Sequence, residues 1–121
     1  MNLLAIALGG ALGSVARYLL STFVLRVSGT LFPLGTFMVN VVGCLVFGAI
    51  AGAASQRLQI SPTVRLFLLT GVLGGFTTFS SYAFESFVLA RDGQFAWAAV
   101  NVLGQVVAGL AGMWVGYVVT Y

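Results

Sequence analysis

The residues able to do chemistry are few, and most of them fall between Gly71 and Tyr82. Thr78, Ser81 and Glu85 follow at spacings of three and four, which places two hydroxyls and a carboxylate on one ridge of a helix. Phe76, Phe79 and Tyr82 recur every third residue and form an aromatic ridge beside it. The same stretch carries Gly71, Gly74 and Gly75 and four hydroxyls, Thr77, Thr78, Ser80 and Ser81, in the middle of an apolar run. Glycine weakens a helix and Ser/Thr side chains compete for backbone hydrogen bonds, so this stretch is a candidate interruption of a span. Non-helical backbone at membrane depth is tolerated only where protein or water covers it. A small-residue helix made for close packing is the alternative reading. Rings, hydroxyls and an intramembrane carboxylate side by side suit the lining of a polar path. No group in the chain is a plausible nucleophile, general base or redox centre, which points to conduction and away from catalysis.

Two further polar groups stand in apolar surroundings. Between Arg26 and Arg57 there is no charge, so Asn40 is an amide set well into hydrocarbon. It must find hydrogen-bond partners, as glue between helices or as the lining of a wet cavity. Arg17, followed by Tyr18, lies late in the first apolar run. An arginine costs roughly 2.5–3.5 kcal/mol at the bilayer centre and less where it can snorkel. It either snorkels beside an interfacial tyrosine or faces an aqueous vestibule and attracts an anion.

The elements that must position these residues follow from composition. A chain of 121 residues that is 60% hydrophobic and 6% charged has too little polar surface to cover a soluble domain. A span needs roughly 20 residues, so the length allows about four helices. The expected spans are about 3–25, 33–54, 65–90 and 95–119, forming one membrane domain over 1–121. Ser28-Gly29 with Pro33, then Pro62, then Arg91-Asp92-Gly93 punctuate the connections. Residues 1–25 lack a basic leader and read as a retained helix. Trp97, Trp114, Tyr117 and Tyr121 suit interface anchors of the fourth span. With one cysteine, Cys44, no histidine and no lysine, disulfide, zinc and haem sites are excluded from a single chain. A net charge of +3 is too small for a nucleic-acid surface.

Each expected span holds a Gly-x-x-x-Gly pair: Gly9/Gly13, Gly48/Gly52, Gly71/Gly75 and Gly112/Gly116. In the fourth, Gly104, Ala108, Gly112 and Gly116 make a continuous small stripe. Such stripes let backbones approach closely in lipid and argue for a compact, oligomeric bundle. Arg57 and Arg65 lie on the side of the N-terminus, Arg26 and Arg91 on the other. This balance gives no positive-inside preference and permits insertion both ways, hence an antiparallel pair with a two-fold axis in the membrane plane.

The ordered pattern Gly9-Gly10-x-x-Gly13-x-x-x-Arg17-Tyr18, Gly35-Thr36-x-x-Val39-Asn40 and Gly71-x-x-Gly74-Gly75-Phe76-Thr77-Thr78-Phe79-Ser80-Ser81-Tyr82-x-x-Glu85 resembles the Fluc/CrcB family of bacterial fluoride channels across nearly the whole chain. The resemblance implies an antiparallel, dual-topology homodimer of four-helix subunits in the bacterial inner membrane, with the third helix broken at mid-membrane. It implies two fluoride pores and one sodium ion at the dimer centre, held by backbone carbonyls that map to Gly74 and Thr77. It assigns the pore to Asn40, Phe79 and Tyr82, with Ser80, Ser81 and Thr36 as hydroxyl candidates, Glu85 accepting a hydrogen bond from Ser81, and Arg17 at a vestibule. The function so implied is passive export of fluoride and resistance to its toxicity.

Three positions depart from the family pattern. Tyr82 stands where a second phenylalanine is usual, putting a hydroxyl into the ring box; Gly109 stands for an expected serine and Met113 for an expected threonine, which thins the polar track of the fourth span to Gln105. A paralogous partner subunit is the variant this suggests. The competing function is a small multidrug-resistance type exporter exchanging protons for cations, but such carriers need an acid in the first helix, where this chain has Arg17. A purely structural membrane subunit would explain the glycine stripes but not Asn40 and the polar ridge.

Overall fold

The computed structural model of the chain describes residues 1–30 and 32–121. Its helices are α1 (Asn2–Ser28), α2 (Leu34–Gln56), α3 (residues 62–76), α4 (Phe79–Arg91) and α5 (Phe95–Thr120). Four stretches, Asn2–Ser28, Leu34–Gln56, Pro62–Arg91 and Phe95–Thr120, are long and apolar enough to cross a membrane. The protein is a multi-pass, all-helical membrane protein.

Local chemistry sets the helix ends. Gly29 closes α1 in the left-handed conformation, φ 62°, with its N–H on the Leu25 carbonyl. Ser61 opens α3 by accepting the Val64 N–H at 3.2 Å, with Pro62 at the first helical position. Thr78 opens α4 by accepting the Ser81 N–H at 3.2 Å. Within α3 the hydrogen bonding changes twice: Pro62–Arg65 is α-helical, Leu66–Leu73 is a π-helix, and Gly74–Phe76 is α-helical again. Eight residues of π-helix exceed a single-turn bulge, and such segments concentrate at functional sites.

The helices pair as α1 with α3 and α2 with α5. Both seams are backbone against backbone. A Cβ on Gly13 would overlap the carbonyl oxygen of Val72, and one on Gly48 the carbonyl of Met113. In lipid, where the hydrophobic effect does not drive helix association, this close approach is what gains dispersion energy. Of the small stripe expected on α5 only Gly116 is fully buried; the buried line is Ala98, Asn101, Gln105, Gly109 and Gly116. The helix is turned so that two carboxamides, not only small residues, face its neighbours.

The interior is inverted relative to a soluble protein. Among the described residues the buried apolar side chains are Val39, Leu73 and Ala98, while Thr36, Ser86, Asn101 and Gln105 are buried and polar. Large apolar groups such as Leu3, Leu19, Phe23, Leu103 and Leu110 point outward, as lipid requires.

Candidate functional site

The site is built around the joint between α3 and α4. Thr77 (φ −83°, ψ 156°) and Thr78 (φ −147°, ψ 113°) are extended. Thr77 stays tethered to α3 through its N–H and hydroxyl, which donate to the Leu73 carbonyl at 3.0 and 2.9 Å. Thr78 has no helical partner. Its N–H donates to Asn40 Oδ1 at 2.8 Å, and its carbonyl accepts from Asn40 Nδ2 at 3.0 Å. One carboxamide from α2 thus answers both backbone groups of an extended residue, as a neighbouring strand would.

From Asn40 a line of donors runs into α5 and back to α4. Asn40 Nδ2 donates to Gln105 Oε1 at 2.8 Å, Gln105 Nε2 to Asn101 Oδ1 at 2.9 Å, Asn101 Nδ2 to Ser86 Oγ at 2.8 Å, and Ser86 Oγ to the Tyr82 carbonyl at 2.8 Å. Ser86 and Asn101 are absent from the sequence assignment. The signal was available: Asn101 and Gln105 are polar, four apart and on one helical face in a run without charge.

Thr78 lines two open recesses. The larger, about 410 Å³, is bordered by Asn40, Leu73, Gly74, Thr77, Phe79 and Tyr82. The smaller, about 310 Å³, is polar and brings together Arg17, Thr36, Ser81 and Glu85. There Thr36 Oγ1 donates to Glu85 Oε1 at 2.8 Å, whereas Ser81, the expected donor, makes no side-chain hydrogen bond to Glu85. Thr36 reaches across from α2 and takes that place. Arg17 Nε and Glu85 Oε2 are buried without a hydrogen-bond partner among the described residues, and Arg91–Asp92 at 3.2 Å is the only ion pair among them.

The rings of Phe79 and Tyr82 lie 5.6 Å apart at 49°. Phe79 is 78% exposed and projects from the joint. The Tyr82 hydroxyl, expected within the ring box, instead donates to the Val102 carbonyl at 2.8 Å, so its hydrogen is committed to α5. The same accounting covers the other donors. Both Asn40 N–H groups are engaged, and the hydroxyl hydrogens of Thr36, Thr77 and Ser86 are spent on Glu85, Leu73 and Tyr82. Among the hydroxyls left to face the recesses are those of Ser14, Ser81 and Thr78, the last with its oxygen 3.4 Å from that of Ser80, which borders neither recess.

The joint also frees acceptors. Thr78 gives its N–H to Asn40 and so withholds it from Gly74, four residues back, and extended Thr77 carries its carbonyl out of the helix. Both residues border the larger recess. Such oxygens are hard donors suited to an alkali cation, and the residues fit the sodium site that the resemblance implies.

Helices that span a membrane, enclosing hydroxyls, carboxamides and ring edges with no catalytic group, define a membrane transport protein. The family model for "CrcB-like protein, Camphor Resistance (CrcB)" matches residues 4–117, and the chain belongs to this family. The fluoride-specific ion channel FluC of Methylobacillus flagellatus is 50% identical over 117 residues, 96% of this chain and 91% of that one. Those of Maridesulfovibrio salexigens and Nitratidesulfovibrio vulgaris are 51% identical over 108 residues and 47% over 115, covering 89% and 95% of this chain and 86% and 93% of theirs.

Proposed function

We propose that the protein is a fluoride-selective channel of the bacterial inner membrane that exports cytoplasmic fluoride down its electrochemical gradient. The observation that carries this reading is Thr78 bordering two recesses, beside the Phe79 and Tyr82 rings and the uncommitted hydroxyl of Ser81. The relatives named as fluoride channels supply the ion.

Fluoride is small and strongly hydrated, so a path must replace its water with donors. Arg17 draws the anion into the smaller recess. Ser81 and the Thr78–Ser80 pair offer O–H groups, and the edges of Phe79 and Tyr82 offer the positive rim of the ring quadrupole. Thr36 and Glu85 shape the recess wall, and Asn40 borders the path at the joint. Inside-negative potential favours exit of an anion by about 2.3 kcal/mol per 100 mV, so no other energy source is required.

In the same reading α3 and α4 form one span interrupted at mid-membrane, and two copies assemble in opposite orientations, each covering the other's larger recess and exposed Phe79. Sodium held by the Gly74 and Thr77 carbonyls of both copies would supply a fixed central charge and tie the two joints together.

The test is fluoride efflux from liposomes containing this protein alone, followed with a fluoride electrode, with chloride efflux as control. Fast fluoride loss with silent chloride is expected, slowed at least about tenfold by Phe79→Ile or Ser81→Ala, equivalent to about 1.4 kcal/mol in the barrier. Absence of fluoride flux from folded protein would overturn the proposal.

A further inference from the structure

Asn40 has nothing left to give an ion. Its Oδ1 accepts the Thr78 N–H, and its two N–H groups go to the Thr78 carbonyl and to Gln105. A carboxamide of this kind can be seated either way round, and here one contact decides it: a backbone N–H can only donate, so the atom facing Thr78 N must be oxygen. That choice propagates. With its oxygen on Thr78 N–H, Asn40 must present nitrogen to Gln105, which therefore presents oxygen to Asn40 and nitrogen to Asn101. Asn101 in turn presents nitrogen to Ser86, whose hydroxyl is left to donate to the Tyr82 carbonyl. Asn101 is fully buried and Gln105 is 6% exposed, so water does not compete for these bonds.

We infer that Gln105, Asn101 and Ser86 are positioning residues that act through Asn40: a one-way line of donors locks the Asn40 carboxamide onto Thr78 and so holds the α3–α4 joint, and the Phe79 and Tyr82 rings that follow it, in register. The line begins at the joint and returns to α4 at Tyr82, so it fixes both ends of the aromatic pair from behind. Asn40 is thereby a clamp on the backbone, and the donors for the ion are the hydroxyls of α4. For transport, this inference rests on the proposed channel reading; the geometry of the clamp does not.

The Thr78 amide hydrogen reports the clamp directly. Hydrogen exchange at Thr78 in the reconstituted wild-type protein is compared with Gln105→Leu and Asn101→Leu, with amides within α1 as the internal measure of an intact fold. Breaking the line should speed exchange at Thr78 roughly tenfold while α1 amides stay protected. Fluoride efflux should fall in parallel, and adding Gln105→Leu to Asn40→Ala should slow efflux no further, because both remove the same clamp. Faster exchange in Asn101→Leu alone carries the same conclusion if Gln105→Leu does not fold. Unchanged exchange at Thr78 would overturn the inference, as would additive losses in the double variant, which would put Gln105 in contact with the ion. If the wild-type protein carried no fluoride, the channel reading would fail while the exchange measurement still decided the clamp.

Discussion

The committed donors make side-chain chemistry predictable one residue at a time. Tyr82→Phe removes a single hydrogen bond to a carbonyl that α5 already engages, so the stability loss should be about 1 kcal/mol, read from thermal melts in detergent, with fluoride selectivity retained. Thr36→Val is more severe. It strips the one partner of a part-buried carboxylate whose other oxygen already lacks one, and should cost roughly 1–3 kcal/mol by the same measurement, with Thr36→Ser close to wild type. A Thr36→Val protein as stable as wild type would mean that Glu85 finds other donors. At this scale the sequence was informative about which residues gather and poor about what each hydrogen does. Arg17, Thr36, Ser81 and Glu85 do share a recess, because helical spacing and buried polarity are written in the chain. The hydroxyl of Tyr82, the partner of Glu85 and the engagement of Asn101 depend on contacts across 20, 49 and 15 positions, which no local pattern encodes.

Helix pairing is carried by glycine at two seams, and the seams are not equally crowded along their length. Gly13→Ala would press a methyl group into the Val72 carbonyl and should destabilise the fold by about 1–3 kcal/mol. Gly10→Ala, with open space around its Cβ position, should leave the melting temperature unchanged or raise it. Equal effects of the two would show that α1 does not pack on α3 as described. Four apolar helices were readable from hydropathy and punctuation alone. The π-helical run Leu66–Leu73 was not, since neither its composition nor its period separates i→i+5 from i→i+4 bonding. The expected small stripe on α5 does approach α2, with Gly112 at the Val41 carbonyl and Gly116 at the Leu45 carbonyl, but Asn101 and Gln105, which find hydrogen-bond partners inside, are buried beside it and were not anticipated as part of that face.

For the whole molecule, the even division of arginines matters most. With Arg57 and Arg65 against Arg26 and Arg91, a reporter fused after Tyr121 should be found on both sides of the membrane in comparable amounts. Replacing Arg26 and Arg91 with Gln should fix one orientation and abolish efflux, and co-expression with an Arg57→Gln, Arg65→Gln chain should restore it. A wild-type reporter confined to one side would exclude the antiparallel assembly. The pairing of α1 with α3 and of α2 with α5 has a further consequence, during synthesis. Neither helix meets its partner in the neighbour made just after it; Gly13 must wait for Val72, a gap of nearly sixty residues. At roughly 5–20 residues per second, α1 spends several seconds in the bilayer before its seam can close. The first helix is therefore held in that interval by lipid, the insertion machinery and its contact with α2, where Gly35 lies against the Ser21 backbone, and the α1–α3 seam closes only after the third span has entered.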